Sequence, residues 1–101
     1  MVLSGGAGME THIGQITHFY NRINVAVLEL SHALDVGDQV HFLGHTTDFV
    51  QNVTSMEIEH KKVFSAGPED EVALKVNEPV RKGDKIFKII EETSSTNTDL
   101  C

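Results

Sequence analysis

Histidine is the residue type in this sequence with the most obvious chemistry, since six of the 101 residues are histidines. They stand at positions 12, 18, 32, 41, 45 and 60. Zinc sites use closely spaced His and Cys ligands, but His41 and His45 flank a strand end and the Gly44 turn rather than sharing a helix face. His12 and His18 on one strand would lie about 20 Å apart. The pattern therefore predicts surface or turn histidines and no metal site.

Nucleophilic and acid–base chemistry find equally little support. The single thiol, Cys101, ends the chain, and no Gly-x-Ser-x-Gly elbow is present. The three acids at 69–71 follow Gly67-Pro68 and are expected in a solvated turn rather than as an acid–base pair. The Gly-rich stretch 5–8 lacks the lysine of a phosphate-binding loop. We predict no enzyme activity, no cofactor and no bound nucleoside triphosphate.

The charge distribution allows a local basic surface on an acidic protein. The formal net charge is −7, yet residues 12–90 hold all eight basic residues against eleven of the fifteen acids. Four of the bases, Arg81, Lys82, Lys85 and Lys88, cluster near the end of this span, and Lys61 with Lys62 forms a second pair. Such a cluster is typical of a phosphate-contacting surface. The alternative is that these are ordinary solvated strand and turn positions.

The residues that must position any site are arranged in short, Val-, Ile- and Phe-rich segments between turn residues, which is the pattern of β-strands. No helical segment is long enough to cover an open sheet, so we expect the strands to close into a barrel that removes the exposed edges. The fold prediction is therefore all-β, a single closed barrel of about six strands. The predicted strands are Ile13–Tyr20, Asn24–Leu30, Gln39–Leu43, Phe49–Ile58, Glu71–Val76 and Lys85–Ile90.

Two Gly-Asp pairs precede strands in a similar setting, Gly37-Asp38 and Gly83-Asp84. Glycine accepts a positive φ, and the following carboxylate can accept hydrogen bonds from nearby backbone N–H groups. These pairs predict two matching turns rather than metal or phosphate ligands.

The domain limits follow from composition. Residues 1–11 are predicted to be a flexible segment, residues 12–92 the β-barrel, and residues 93–101 a disordered tail without apolar residues to bury before Leu100. A lone thiol, no secretory signal and no stretch of about 20 apolar residues predict a cytoplasmic protein that does not enter membranes.

Several short motifs follow one another along the chain in a characteristic order. They are Ile13–Ile16, Val25–Val27, Leu34–Val40, Gly44, Val53–Glu57, Ala66-Gly67 and Val72–Leu74. Their order resembles the second, β-barrel domain of elongation factor Tu and its archaeal and eukaryotic counterpart, over about residues 12–90. The Gly44–Phe49 stretch makes the chain similar to two narrower groups, small stand-alone translation-factor-like proteins and the C-terminal domain appended to collagenase-like peptidases.

The resemblance implies a pocket for the acceptor end of tRNA. In elongation factors a glutamate in a Glu-x-x-Arg or Glu-x-x-His stretch lies in the pocket for the terminal adenosine, and Glu57–His60 has this form. A carboxylate there can accept a hydrogen bond from a ribose hydroxyl, and a histidine can stack or donate. Tyr20 is the aromatic residue that we expect to be exposed for base stacking.

Two functions remain open at this point. The first is a non-catalytic module that binds RNA, tRNA or a ribosome-associated protein through Glu57, His60, Lys61, Arg81, Lys82, Lys85 and Lys88. The second is a protein-interaction accessory subunit of a larger enzyme such as a collagenase-like peptidase. The acidic balance favours the second, because dedicated RNA-binding proteins are usually basic.

Overall fold

The structure, a computed structural model, describes residues 9–90. The Gly-rich start, the Thr- and Ser-rich end and Cys101 therefore lie outside the described residues. Over the described range every regular element is a strand, and no helix is long and apolar enough to cross a bilayer. The ten strands are β1 (Met9–Tyr20), β2 (Val25–Leu30), β3 (Leu34–Asp35), β4 (Gln39–Leu43), β5 (Asp48–Asn52), β6 (Met56–Ile58), β7 (Lys61–Val63), β8 (Ser65–Ala66), β9 (Glu71–Lys75) and β10 (Lys85–Ile90).

Eight of these strands form one sheet in the order β5-β4-β10-β1-β2-β9-β6-β7. Strands β3 and β8 pair separately as a two-stranded sheet. Every pairing is antiparallel. The all-β prediction is confirmed.

The prediction of a closed barrel is wrong. The large sheet is open, with β5 at one edge and β7 at the other. The predicted strand Phe49–Ile58 divides into β5 and β6. At the break, Val53 exchanges backbone hydrogen bonds of 2.8 Å with the turn at Gly37-Asp38. The N–H and C=O of Val53 are therefore not available for a strand pairing that would join the two edges of the sheet.

Strand β1 pairs with β10 mainly over its first half and with β2 mainly over its second half. Its register shifts between His12 and Gly14 on the β10 side and between Ile16 and His18 on the β2 side. These bulges let Ile13 and Ile16, three residues apart, both bury fully on one strand. A Cβ at Gly14 would lie 2.3 Å from a β2 carbonyl oxygen, so glycine permits the close approach.

The core lies on the concave side of the curved sheet. Alternation places Ala26, Leu28 and Leu30 of β2 inward, while Glu29 faces solvent. Val72 and Leu74 of β9 and Ile86 of β10 fill the same interior. The remaining buried apolar residues are Ile13, Ile16, Leu34, Val40, Phe42, Val53, Met56, Ala66, Val76 and Val80.

The two Gly-Asp turns have the predicted structure. Gly37 and Gly83 have φ angles of 100° and 92°. Each following carboxylate accepts a 2.8 Å hydrogen bond from the backbone N–H three residues earlier, that of Asp35 for Asp38 and that of Arg81 for Asp84. Asp84 is also buried and accepts a hydrogen bond from the Thr47 hydroxyl. The turns hold the starts of β4 and β10, as the repeated motif indicates.

The turn predicted after Gly67-Pro68 has the same design as the two Gly-Asp turns, which was not predicted. Gly67 donates its N–H to the Asp70 carboxylate at 2.8 Å, and Asp70 donates its N–H to the Gly67 carbonyl at 3.1 Å. The position that glycine occupies in the other turns is here Glu69, with a φ of 74°. The sequence did not reveal the shared design because a glutamate replaces that glycine.

Strand ends differ from the expected ones in two respects. The first strand begins at Met9, so residues 9–11, predicted to be flexible, are part of the sheet. The short strands β3, β7 and β8 were not predicted, because two or three residues give no measurable alternation.

Candidate binding groove

A hollow of the described chain, called the groove below, has a volume of about 810 Å³ and is open to solvent. It lies on the convex face of β2, β9 and β6, opposite the core. Ligand sites are commonly roughly 300–1,000 Å³. The lining residues are Tyr20, Ile23, Val25, Val27, Glu57, Ile58, Glu59, His60, Glu69, Asp70, Glu71 and Ala73.

The floor of the groove is a row of side chains across three strands. Val27 of β2 lies opposite Ala73 of β9, and Ala73 lies opposite Glu57 of β6. Directly opposed residues of antiparallel strands share a sheet face, so the floor passes from apolar to anionic along this row. Val25 extends the apolar part, and all four side chains are half-buried.

Turns form the walls of the groove. Glu59 and His60 are the two central residues of the β6–β7 hairpin, with φ angles of 51° and 68°. Glu69, in the third Asp turn, is also in the left-handed region. Non-glycine residues at positive φ are uncommon, and strained backbone tends to cluster at functional sites. Three of the four such residues in the described chain line this groove.

The groove is acidic. Five of its lining residues are carboxylates, and no lysine or arginine lines it. Within the described range none of these carboxylates has a lysine or arginine nitrogen within 4.0 Å. An unneutralised anionic lining attracts cations and repels phosphate.

One end of the groove carries exposed apolar surface. Tyr20 is 51% exposed, as predicted, and Ile23 is 58% exposed. The Tyr20 ring stacks with the His18 ring at a centroid distance of 6.1 Å. Side chains of this size in contact with solvent at a groove rim are suited to packing against a partner.

The predicted site residues are only partly brought together. Glu57 and His60 both line the groove, whereas Lys61 begins β7 just beyond it. The sequence found this pair through the elongation-factor pattern. It missed Glu69 and Glu71, which were assigned to a solvated turn, because the turn at 67–70 has a glutamate where the two Gly-Asp turns have glycine.

The predicted basic cluster does not form one surface. Lys85 and Lys88 are three residues apart on β10, so they point to opposite faces of the strand. Lys88 lies 3.5 Å from the Asp38 carboxylate, which neutralises its charge. Arg81 lines a second hollow of about 380 Å³ between 46–49 and 78–81, away from the groove, and Lys82 occupies the adjoining turn.

A cluster that the sequence did not reveal centres on His41. Its Nδ1 lies 3.0 Å from Glu10 Oε1 and its Nε2 lies 2.6 Å from Asp48 Oδ1. The hydrogen bonds to Glu10 and then to Asp48 raise the pKa of His41 above its ordinary value, against a smaller opposing effect of burial. Asp48 is seven residues from His41 in sequence and Glu10 is 31 residues away, and the three meet because β4 lies next to β5 and close to β1.

Catalytic arrangements are weak among residues 9–90. The Ser31 hydroxyl and His32 Nδ1 are 3.1 Å apart, but both residues are exposed sequence neighbours and no acid orients the ring. No group of three His, Cys, Asp or Glu side chains in this range is placed to hold a metal ion.

Comparison with known proteins gives this geometry a context. The chain is 40% identical over 82 residues to an uncharacterized protease of Methanocaldococcus jannaschii, covering 80% of this chain. It is 30% identical over 87 residues to a collagenase of Porphyromonas gingivalis, covering 84% of this chain. Its relatives are collagenase-like proteases. The chain spans about a fifth to a quarter of their lengths, 20% and 24%.

Solved structures support the same part of the resemblance. The C-terminal domain of a predicted U32 peptidase from Geobacillus thermoleovorans superposes with a TM-score of 0.73 at 22% identity, covering 78% of this chain and 91% of that domain. A selenomethionine variant of that domain gives a TM-score of 0.71 at 20% identity, covering 74% of this chain and 95% of its own. No family model matches the chain. The collagenase-like part of the predicted resemblance is supported, and the elongation-factor part is not shown.

Proposed function

We propose that this chain is a non-catalytic accessory subunit of a collagenase-like peptidase and that it acts by binding that peptidase. One observation carries the proposal. The similarity spans four fifths of this chain but only a fifth of the protease, and the fold is that of a domain which exists as a separate unit at the C-terminus of a predicted U32 peptidase. A segment of this size is expected to fold by itself.

The groove supports a binding role. It combines a half-buried apolar floor with the exposed Tyr20 and Ile23, and the described residues offer no nucleophile held by an oriented base. Phe64, which is 84% exposed at the end of β7, adds a second apolar contact point on the surface.

RNA binding is the second candidate, favoured by one observation. Glu57 and His60 share the groove with the exposed Tyr20 ring, as the elongation-factor pattern predicts. The acidic lining and the dispersed bases oppose it, because phosphate contacts supply most of the affinity of RNA-binding proteins.

Affinity capture separates the two functions. We expect the tagged chain, incubated with extract of its native cell, to retain a collagenase-like peptidase after nuclease treatment, as identified by mass spectrometry. Retention of RNA-dependent partners alone, or of tRNA by the purified chain at low salt, would instead establish RNA binding. The purified chain should show no peptidase activity alone, and activity in the absence of the larger protein would contradict the non-catalytic assignment.

A further inference from the structure

We infer that the groove binds an extended segment of the partner polypeptide that carries lysine or arginine beside apolar side chains. This inference rests on the proposed function and specifies the chemistry of the partner. Three features support it: the negative charge of the lining, the apolar surface beside the carboxylates, and the spacing of the row of side chains across the floor.

The lining of the groove carries negative charge and is complementary to a positively charged partner. Glu57, Glu59, Glu69 and Glu71 contribute carboxylates to the lining, and the described structure places no lysine or arginine among the lining residues. Glu57 is half-buried, so an incoming cation would be less screened there than on an open surface. Arginine and lysine form charge-assisted hydrogen bonds with such carboxylates.

Two lysines border the groove without neutralising it. Lys62 of β7 lies opposite Glu57, and Lys75 of β9 lies opposite Val25, so both share the convex face. Neither is within 4.0 Å of a carboxylate in the described range. An incoming cation therefore encounters more anionic than cationic groups at this face.

The apolar surface selects a polypeptide over an isolated cation. Val25, Val27 and Ala73 form a continuous patch beside the carboxylates, and Ile23 and Tyr20 continue it to the rim. An extended chain places every second side chain on one face, about 6.6–7 Å apart. Val27 and Glu57 are two strands apart, about 9.6 Å, so an apolar side chain over Val25 and Val27 leaves a neighbouring lysine or arginine, with its long side chain, to reach Glu57.

The same features argue against a nucleic acid in this groove. A phosphate backbone would face five carboxylates, and like charges in a groove repel one another strongly. The Tyr20 ring can stack on a base as well as on an arginine plane, so the charge of the lining decides between them.

The test measures binding of fluorescein-labelled peptides by anisotropy to the full chain. One short peptide has two lysines flanking a phenylalanine, the second has glutamates in place of the lysines, and the third probe is an oligouridine. We expect the lysine peptide to bind at micromolar strength at low salt and more weakly at high salt. The glutamate peptide and the oligouridine should bind at least about tenfold more weakly, a difference near 1.4 kcal/mol.

Variants locate the site. Glu57→Gln with Glu71→Gln, and separately Ile23→Ser, should each weaken the lysine peptide at least about fivefold. The matched control, Asp35→Asn with Glu78→Gln, removes the same charge outside the groove and should change affinity less than about twofold. Circular dichroism of each variant checks folding, and Ile23 is exposed enough to be replaced safely.

Each contrary result overturns the inference. Equal binding of the lysine and glutamate peptides excludes charge selection, and equal weakening by the control pair reduces the effect to net charge. Tight oligouridine binding that depends on Glu57 makes the groove an RNA site. If the peptidase is still captured by the Glu57→Gln, Glu71→Gln variant, the accessory role stands and the groove is not its contact.

Discussion

His41 joins three strands through two carboxylates. When the ring is protonated, both nitrogens donate, one to Glu10 of β1 and one to Asp48 of β5. A neutral ring can donate from only one nitrogen, so deprotonation must break or weaken one contact. His12 is the other titratable ring nearby, and it reaches His41 only through the Phe87 ring between them.

We predict that folding stability falls as pH rises across this cluster. Because the hydrogen bonds to Glu10 and Asp48 raise the pKa of His41 in the folded state, its contribution is complete below the ordinary histidine pKa, about 6.5, and is lost as pH rises through the raised value. The loss should be about 0.2–1 kcal/mol, since both acids are exposed and screened. Urea unfolding at pH 5.5 and pH 8.5 measures it.

Two variants test whether His41 causes the fall of stability with pH. His41→Gln should remove the fall with pH, whereas His12→Gln should leave it in place. A fall of the same size in the His41→Gln protein would show that another group causes it.

At the scale of the element, the same Asp-capped turn occurs three times in the described chain. One of the three turns lacks glycine at its third position. Gly37 and Gly83 occupy the third position of two turns, and Glu69 occupies it in the turn beside the groove. A positive φ at this position is what a type II turn requires, and it costs a non-glycine residue about 1–2 kcal/mol. The glutamate is kept there although a glycine would suit the backbone better, as expected if its side chain is needed in the groove.

We predict that Glu69→Gly stabilises the protein by about 0.5–1 kcal/mol, the strain relieved less the extra chain entropy of glycine in the unfolded state. The reverse change, Gly83→Glu, should destabilise it by about 1 kcal/mol. A Cβ at Gly83 would meet no atom within 4 Å, so only the backbone conformation opposes it. Urea titration of both variants gives the two values, and a loss of stability in Glu69→Gly would show that the Glu69 side chain makes contacts that outweigh the strain.

The elements that the sequence predicted are those with strong alternation or turn residues. The six predicted strands all occur, although Phe49–Ile58 divides in two. The features that the sequence did not predict depend on contacts between different strands. The convergence of Glu57 with Glu71 needs the β6–β9 pairing, and the meeting of His41 with Glu10 needs the β4–β10–β1 order. The family pattern indicated Glu57 but not Glu71, and nothing in the residue types indicated the meeting of His41 with Glu10.

At the scale of the whole molecule, the open sheet has no strand pairing between β5 and β9. A side chain connects them instead. Gln51 of the edge strand β5 donates from Nε2 to the Lys75 carbonyl at 2.9 Å and accepts from the Asn77 N–H at 2.7 Å. Its amide carries the donor and acceptor of a peptide group, so it satisfies the end of β9 without a ladder between the strands. No alternation pattern reveals such a substitution, because a buried glutamine in a strand resembles any polar position.

Gln51→Leu therefore tests how the two halves of the molecule are held together. The change leaves the Lys75 carbonyl and the Asn77 N–H without their partners, and we expect a loss of about 1–3 kcal/mol. Because the contact holds an edge strand, hydrogen exchange should accelerate first in β5 and at residues 75–77, before the core strands. Asn52→Leu is the matched control, since its side chain is exposed on the same strand, and it should change stability by less than about 0.5 kcal/mol. Uniform acceleration of hydrogen exchange across the sheet would mean that β5 opens only when the whole fold opens. Gln51 would then contribute to global stability without holding β5 to residues 75–77 as a separate local contact.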